Sequence, residues 1–206
     1  MYKLFVKRGL DICLSLIALL LLSPVFLLIV IAIKIDDPGP AFFRQTRAGV
    51  RKEPFDILKF RTMRMNAPHD MPTFLLEDPD RYITRVGRFL RKTSLDELPQ
   101  LIQIFSGKMS IIGPRPVVLC EQDLLSERDK YGANEVRPGL SGWAQINGRD
   151  ELDFETKARY DGEYVKNLSF FFDCKCFFGT IIKVLRQDDV VEGRAGVSEQ
   201  DRKSFT

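Results

Sequence analysis

Histidine is almost absent from the sequence and cysteine is scarce: His69 stands alone, and the four cysteines are Cys13, Cys120, Cys174 and Cys176. No spaced Cys/His quartet exists, which argues against a structural zinc site. Cys13 lies inside an apolar run, out of easy reach of the others, so a disulfide framework is not expected and the compartment reads as reducing. One histidine in a proline-bounded loop leaves little room for a Ser-His-Asp or Cys-His device. Two phosphate-binding signatures are missing as well. No G-x-G-x-x-G occurs, and Gly107-Lys108-Met109-Ser110 has Ile102 where a P-loop needs its first glycine. Carboxylates and arginines are left to carry any chemistry.

The sequence also lacks a strong net charge, at +3 with a pI near 8.7. The excess sits at the start: residues 1–35 carry Lys3, Lys7, Arg8 and Lys34 against Asp11, and the remainder is neutral overall. Within the remainder, residues 44–115 hold 14 basic and 8 acidic side chains, and residues 116–206 hold 13 and 17. The first of these stretches should attract anions. Nucleic acid is not the expected partner, because the basic residues do not alternate with stacking aromatics. Hydrophobic residues at 45% and charged residues at 29% exclude a disordered or low-complexity chain. A length of 206 residues suits one globular domain with an appendage.

The appendage is a long apolar run. From Ile12 to Ile33 no charge occurs, and only Ser15, Ser23 and Pro24 interrupt the aliphatic residues. A helix of that length spans a bilayer core of roughly 30 Å, and the run exceeds the ~7–15 residues of a signal-peptide core. Pro24 lacks an N–H and clashes with the carbonyl at Leu20, so a bend is expected there, with the Ser23 hydroxyl placed to serve the freed carbonyl. Two shapes are open, a kinked span or a hairpin returning to its own side. Basic residues flank both ends, which makes both ends on the cytoplasmic face the simpler solution.

Asp36-Asp37-Pro38-Gly39-Pro40 ends this segment and divides residues 1–35 from a globular domain over 36–187; a polar tail follows at 188–206. Ala41–Gln45 and Phe55–Phe60 predict a hairpin, and 66–80 a proline-rich loop. Helical spacing occurs over Val86–Lys92 and, after an interruption, Leu95–Phe105, where Leu98, Leu101, Ile102 and Phe105 form one stripe. Further helices are predicted over Cys120–Tyr131, Asp150–Lys166 and Phe170–Leu185. The last is loaded with Phe170, Phe171, Phe172, Phe177 and Phe178, which suits a membrane surface or a core equally. The fold class is therefore α/β, mostly helical with a small β-hairpin or sheet.

Ser94-Leu95-Asp96-Glu97-Leu98-Pro99 places two adjacent acids at a helix start, where free N–H groups favour a bound phosphate and an ionised Asp can serve as nucleophile or metal ligand. The plain alternative is a capping box, Ser94-x-x-Glu97, serving stability alone. An anionic nucleophile facing a phosphate needs cations nearby, and Lys59, Arg61, Arg85, Arg88, Arg91 and Arg115 lie in the basic half. Arg115, between Pro114 and Pro116, pairs a rigid turn with a guanidinium fork suited to phosphate oxygens. Arg137-Pro138-Gly139 has the same character more weakly. Asp161 and Tyr164 share a helix face.

Five blocks in order resemble the monotopic phosphoglycosyl transferases, bacterial sugar transferases that load the first sugar phosphate onto a polyprenol carrier. They are Ser23-Pro24, Lys59-Phe60-Arg61-Thr62-Met63, Ser94 to Leu101, Gly113-Pro114-Arg115-Pro116, and Arg137 to Gly142. The resemblance implies a re-entrant membrane helix broken at Ser23-Pro24, a domain on the cytoplasmic face of the bacterial inner membrane, and interfacial helices. It implies that Asp96 attacks the β-phosphate of a UDP-sugar, releasing UMP, and that undecaprenyl phosphate then takes the sugar phosphate. Glu97 would assist, and Mg2+, held by Asp96, would offset charge. Pro114-Arg115-Pro116 would contact the nucleotide, with Lys59, Arg61, Arg88, Arg137 and Asp161 carried over as further phosphate or nucleotide contacts. Two rivals stay open: a membrane-anchored scaffold whose acids cap a helix, and a Mg2+-dependent phosphohydrolase using the same carboxylates.

Overall fold

The computed structural model describes residues 2–67, 79–148 and 152–186. His69, most of the loop predicted over 66–80 and the tail predicted over 188–206 lie outside them. The described part is mostly helical, with two small two-stranded sheets.

Helix α1 runs from Lys7 to Asp36, 30 residues, and helical structure continues through Pro24. Among the described residues it is the one helix long and apolar enough to cross a membrane. Ser23 Oγ donates to the Leu20 carbonyl at 2.9 Å, the acceptor that Pro24, having no N–H, leaves without its amide donor. The hydroxyl thus does what the sequence suggested, and the helix persists where a break was expected.

One stripe of α1 faces the rest of the protein. Asp11 and Ser15 are buried; Ala18, Leu19 and Leu22 pack near Ile57, Ile104 and Met109; Ile29 and Ile33 pack with Ala41, Phe60 and Leu90. The opposite stripe, including Leu14, Ile17, Leu21, Leu28 and Ile31, is exposed. Polar ties hold both ends. Near the start, Lys7 pairs with Asp173 at 2.7 Å, Arg8 donates to the Ile104 and Phe105 carbonyls, and Asp11 accepts from the Ile111 amide at 3.0 Å. At the far end, Asp36 accepts from the Val86 amide at 2.8 Å and Asp37 pairs with Arg61.

The predicted hairpin forms as β1 (Phe42–Ala48) and β2 (Pro54–Phe60), antiparallel with Phe42 opposite Phe60. Helix α2 (Arg85–Lys92) starts at Thr84, whose hydroxyl accepts from the Gly87 amide at 2.9 Å. A Cβ at Gly87 would lie 2.0 Å from the Thr62 carbonyl oxygen, so α2 meets the end of the hairpin backbone to backbone. Helix α3 spans Gln100–Ser106 and ends at Gly107, whose φ of 91° suits the left-handed terminator. Its buried apolar side is Leu101 and Ile104, whereas Ile102 and Phe105, placed by sequence in the same stripe, are exposed. The helix begins five residues later than its periodicity suggested.

Strand β3 (Ser110–Ile112) pairs in parallel with β4 (Gly139–Ser141), a contact that three-residue strands so far apart do not announce. Between them lies α4 (Gln122–Lys130). The short α5 (Trp143–Ile146) leads to α6 (Phe154–Lys166), capped by Asp153, and α7 (Phe170–Arg186) closes the described chain. Helix α7 is partly a core helix, with an open aromatic side. Asp173 and Cys176 are buried near Tyr164, while Phe170, Phe171, Phe177 and Phe178 are exposed. Burial, with Asp173 adding to it, pushes the Cys176 thiol up to about 12, which makes it an inert core residue.

Candidate active site

Asp96 and Glu97 lie on a single 3-10 turn, Leu95–Glu97, that precedes α3. Pro99 stands just before α3 rather than inside it, so the acids occupy a separate turn immediately ahead of that helix. The capping box is not formed either. Ser94 is in the left-handed region (φ 55°) and its side chain makes no cap hydrogen bond. Both acids are nonetheless buried, at 5% and 8% exposure, and buried carboxylates require partners. For Glu97 the partners are cations: Oε1 accepts from Lys59 Nζ at 2.9 Å and from Arg115 Nη2 at 2.8 Å. Lys59 comes from β2 and Arg115 from the turn after β3, so the hairpin, the acidic turn and the Pro-Arg-Pro turn converge.

The Pro114-Arg115-Pro116 turn is fixed from two directions. The β3–β4 ladder draws it against residues 137–142: Gly113 donates to the Ser141 carbonyl and Gly139 to the Pro114 carbonyl, each at 2.8 Å. A Cβ at Gly113 would lie 2.4 Å from the Arg137 carbonyl oxygen, and one at Gly139 would lie 2.1 Å from the Gly113 nitrogen. Only glycine permits that approach. From the other side, Arg128 on α4 donates through Nη1 to the Arg115 carbonyl at 3.0 Å. Arg128 is itself held by Asp161 on α6, with Nε to Oδ2 at 2.8 Å. Burial pushes the Asp161 carboxyl up, and the adjacent guanidinium of Arg128 opposes it.

The structure therefore brings together Asp96, Glu97, Lys59, Pro114, Arg115 and Pro116. Four other sequence candidates do not appear among these contacts. Arg61 is buried and committed to Asp37 and to the Pro40 carbonyl, the latter at 2.7 Å, where it joins the end of α1 to the hairpin. Arg88 is exposed on α2. Arg137 is exposed and donates to the Gly107 carbonyl at 2.9 Å. Asp161 is fully buried with Arg128, which in turn bonds the Arg115 carbonyl.

Two residues that sequence reasoning passed over belong near the site. Arg128 is one, hidden among the charges of α4. Arg47 on β1 is the other: burial lowers its pKa, and the neighbouring Arg115 charge lowers it further against Glu121 and Glu97. Its Nε is buried with no hydrogen-bond partner among the described residues. The alternation of β1 puts Arg47 on the same side as Phe43 and Gln45, a signal available in sequence only once the strand bounds are known.

Among the described residues no three His, Cys, Asp or Glu side chains gather to hold a metal. A site resting on Asp96 alone still fits Mg2+, which commonly takes one or two carboxylates and completes its shell with phosphate oxygens and water.

A family model described as bacterial sugar transferase matches residues 2–187. The chain is 42% identical over 184 residues to UDP-glucose:undecaprenyl-phosphate glucose-1-phosphate transferase of Escherichia coli, covering 86% of this chain and 39% of that protein. It is 38% identical to undecaprenyl-phosphate galactose phosphotransferase of Salmonella typhimurium, covering 89% and 41%. It is also 38% identical to the uncharacterized sugar transferase EpsL of Bacillus subtilis, covering 91% of both chains. The chain thus spans about two fifths of the length of the first two relatives and most of EpsL. With the model matching from the first turn of the chain to the end of α7, this protein belongs to the bacterial sugar transferase family.

Proposed function

We propose that this protein transfers a sugar 1-phosphate from a UDP-sugar to undecaprenyl phosphate, in two steps through a phosphosugar carried on Asp96. The observation that carries this reading is the Glu97 carboxylate: Lys59 and Arg115 grip it, where a capping role would have turned it toward backbone amides. Two cations beside two acids form a place where a diphosphate can approach a carboxylate without prohibitive repulsion. The relatives named for transfer to undecaprenyl phosphate support the reaction class.

In the first step an Asp96 carboxylate oxygen attacks the β-phosphorus. The bond from that phosphorus to the bridging oxygen breaks, and UMP leaves with the bridging oxygen and its electron pair. In the second step a phosphate oxygen of undecaprenyl phosphate attacks the same phosphorus, and the Asp96 oxygen leaves as carboxylate. One diphosphate is exchanged for another, so neither step is steeply uphill, and the soluble and lipid substrates use the site in turn. Bound Mg2+, held by Asp96 and the diphosphate, would supply charge compensation. Arg115 and Lys59 orient Glu97 and present positive charge to the nucleotide phosphates, so catalysis is mainly placement.

The ties at both ends of α1 favour a helix that enters and leaves the bilayer on one side. A straight 30-residue helix is about 45 Å long, yet its termini and its inner stripe all contact the same globular unit. The exposed stripe would then face lipid, with the domain on the cytoplasmic face, where UDP-sugars occur and where the basic flanks are retained.

The deciding experiment is a quenched reaction with a UDP-sugar labelled in the β-phosphate. Wild-type protein should carry the label covalently and Asp96→Asn should not, while retaining its thermal unfolding profile. Robust turnover by Asp96→Asn would refute the nucleophile. Sugar phosphate released without any lipid acceptor would mark a hydrolase instead, and no UMP release with any UDP-sugar would leave only a scaffold.

A further inference from the structure

Beside the acidic turn lies a cavity of about 200 Å3 between the end of α2, β3–β4, α5 and α7. Leu98, Leu140, Ile146, Phe177, Ile181 and Val184 form its apolar walls. Glu97 lines it together with three cations, Lys92, Arg115 and Lys183. Gln145 also lines it, and both polar atoms of its amide are buried with no hydrogen-bond partner among the described residues. A buried amide in that state is costly unless a guest completes it.

The walls of this cavity continue outward. Ile181 and Val184 are partly exposed, and next to them on α7 Phe178, Ile182 and Leu185 are exposed at 61%, 50% and 76%. The cavity thus combines apolar walls, two of which reach the surface at Ile181 and Val184, with the cations Lys92, Arg115 and Lys183. It is smaller than the ~300–1,000 Å3 that encloses a drug-sized ligand, which fits one end of a long molecule better than a whole nucleotide sugar.

We propose that this cavity seats the phosphate head and first isoprene units of the polyprenyl phosphate acceptor, a reading that rests on the two-step transfer above. The chemistry matches part by part. A phosphate monoester offers acceptor oxygens to Lys92, Lys183, Arg115 and the Gln145 amide nitrogen, and a P–OH to the Gln145 amide oxygen. The branched hydrocarbon fills the space among Leu98, Leu140, Ile146 and Val184. The remainder of the chain leaves past Ile181 onto the exposed face of α7, without crossing a polar surface. The acceptor phosphate then arrives beside Glu97, one residue from Asp96.

The test uses the full chain in lipid nanodiscs. Val184→Trp fills the cavity and should raise KM for undecaprenyl phosphate about tenfold relative to KM for the UDP-sugar, an overpacking cost of the usual size. Ser126→Trp, at an exposed position on α4 away from the cavity, should leave both constants unchanged. An unchanged ratio for Val184→Trp in folded protein overturns the proposal. So does a rise in KM for the UDP-sugar alone, which would assign the cavity to the nucleotide. Independently, a prenyl phosphate carrying a diazirine in its second isoprene unit should label residues 177–184 of wild-type protein on irradiation. Labelling confined to other segments overturns the assignment. Failure of the two-step reading shows separately: wild-type protein would not exchange labelled UMP into UDP-sugar without lipid, and the crosslinking map would still decide where the acceptor sits.

Discussion

Glu97 and Arg115, 18 positions apart in the sequence, meet in a 2.8 Å hydrogen bond that stands where the Ser94–Glu97 spacing suggested a helix cap. That bond converts an ordinary stabilising pattern into a charged site. Its energetic weight should appear in catalysis more than in folding, because Lys59 continues to hold Glu97 when Arg115 is removed.

Arg115→Ala should therefore lower kcat/KM for the UDP-sugar by about 100-fold, roughly 3 kcal/mol, with Arg115→Lys intermediate because an ammonium does not replace the fork. Arg64→Ala, an exposed change in the same basic half, serves as the control and should have little effect. UMP release kinetics measure both, and equal losses would remove the special role of Arg115.

Breaking the buried Arg128–Asp161 pair should destabilise strongly. Asp161→Asn or Arg128→Met leaves one buried partner uncompensated, at a cost of about 3–5 kcal/mol, whereas the double change to Met and Leu should recover much of it. Thermal unfolding in detergent reads the difference. Because Arg128 also holds the Arg115 carbonyl, the stable double variant should still show a raised KM for the UDP-sugar.

Ser23 and Pro24 should be coupled. Ser23→Ala leaves the Leu20 carbonyl without its donor and should cost about 1 kcal/mol. Pro24→Ala returns an N–H to that carbonyl, so the double variant should lose less than Ser23→Ala alone. Additive losses in a thermal unfolding cycle would show that the two residues act independently.

Asp153 caps α6, accepting from the Thr156 amide at 2.7 Å, and this bond holds its carboxyl below the usual range. A carboxyl depressed in the fold stabilises above its unfolded value of about 3.9, and that contribution disappears as pH falls through the folded value. Asp153→Ala should thus cost up to about 1 kcal/mol at pH 7, and wild type and variant should converge in acid. A stability gap that stays constant between pH 7 and pH 3 would contradict this.

Local patterns were readable from the residues alone: the apolar run, the hairpin, the interruption between α2 and α3, and the Ser23 hydroxyl beside the proline. Each depends on neighbours within a few positions. Arg61 shows where such reading stops, since a basic residue in a basic stretch gives no sign that Asp37 has already claimed it. The parallel β3–β4 contact was equally hidden. It depends on backbone proximity at Gly113 and Gly139, and no side-chain period records that. Arg128 reaches the Arg115 turn, and Gln145 the adjoining cavity, only through long-range packing.

The packing of α1 has a practical consequence for handling this protein. Phe60, Leu90, Ile104 and Met109 lean on that helix, and Asp36 and Asp11 satisfy amides belonging to α2 and β3. Among the described residues, α1 is tied to the globular part along its length and at both ends. Trimming the greasy segment to obtain a water-soluble catalytic fragment would uncover the floor beneath the acidic turn, so solubilising conditions must be chosen to protect the anchor and the chemistry as one object.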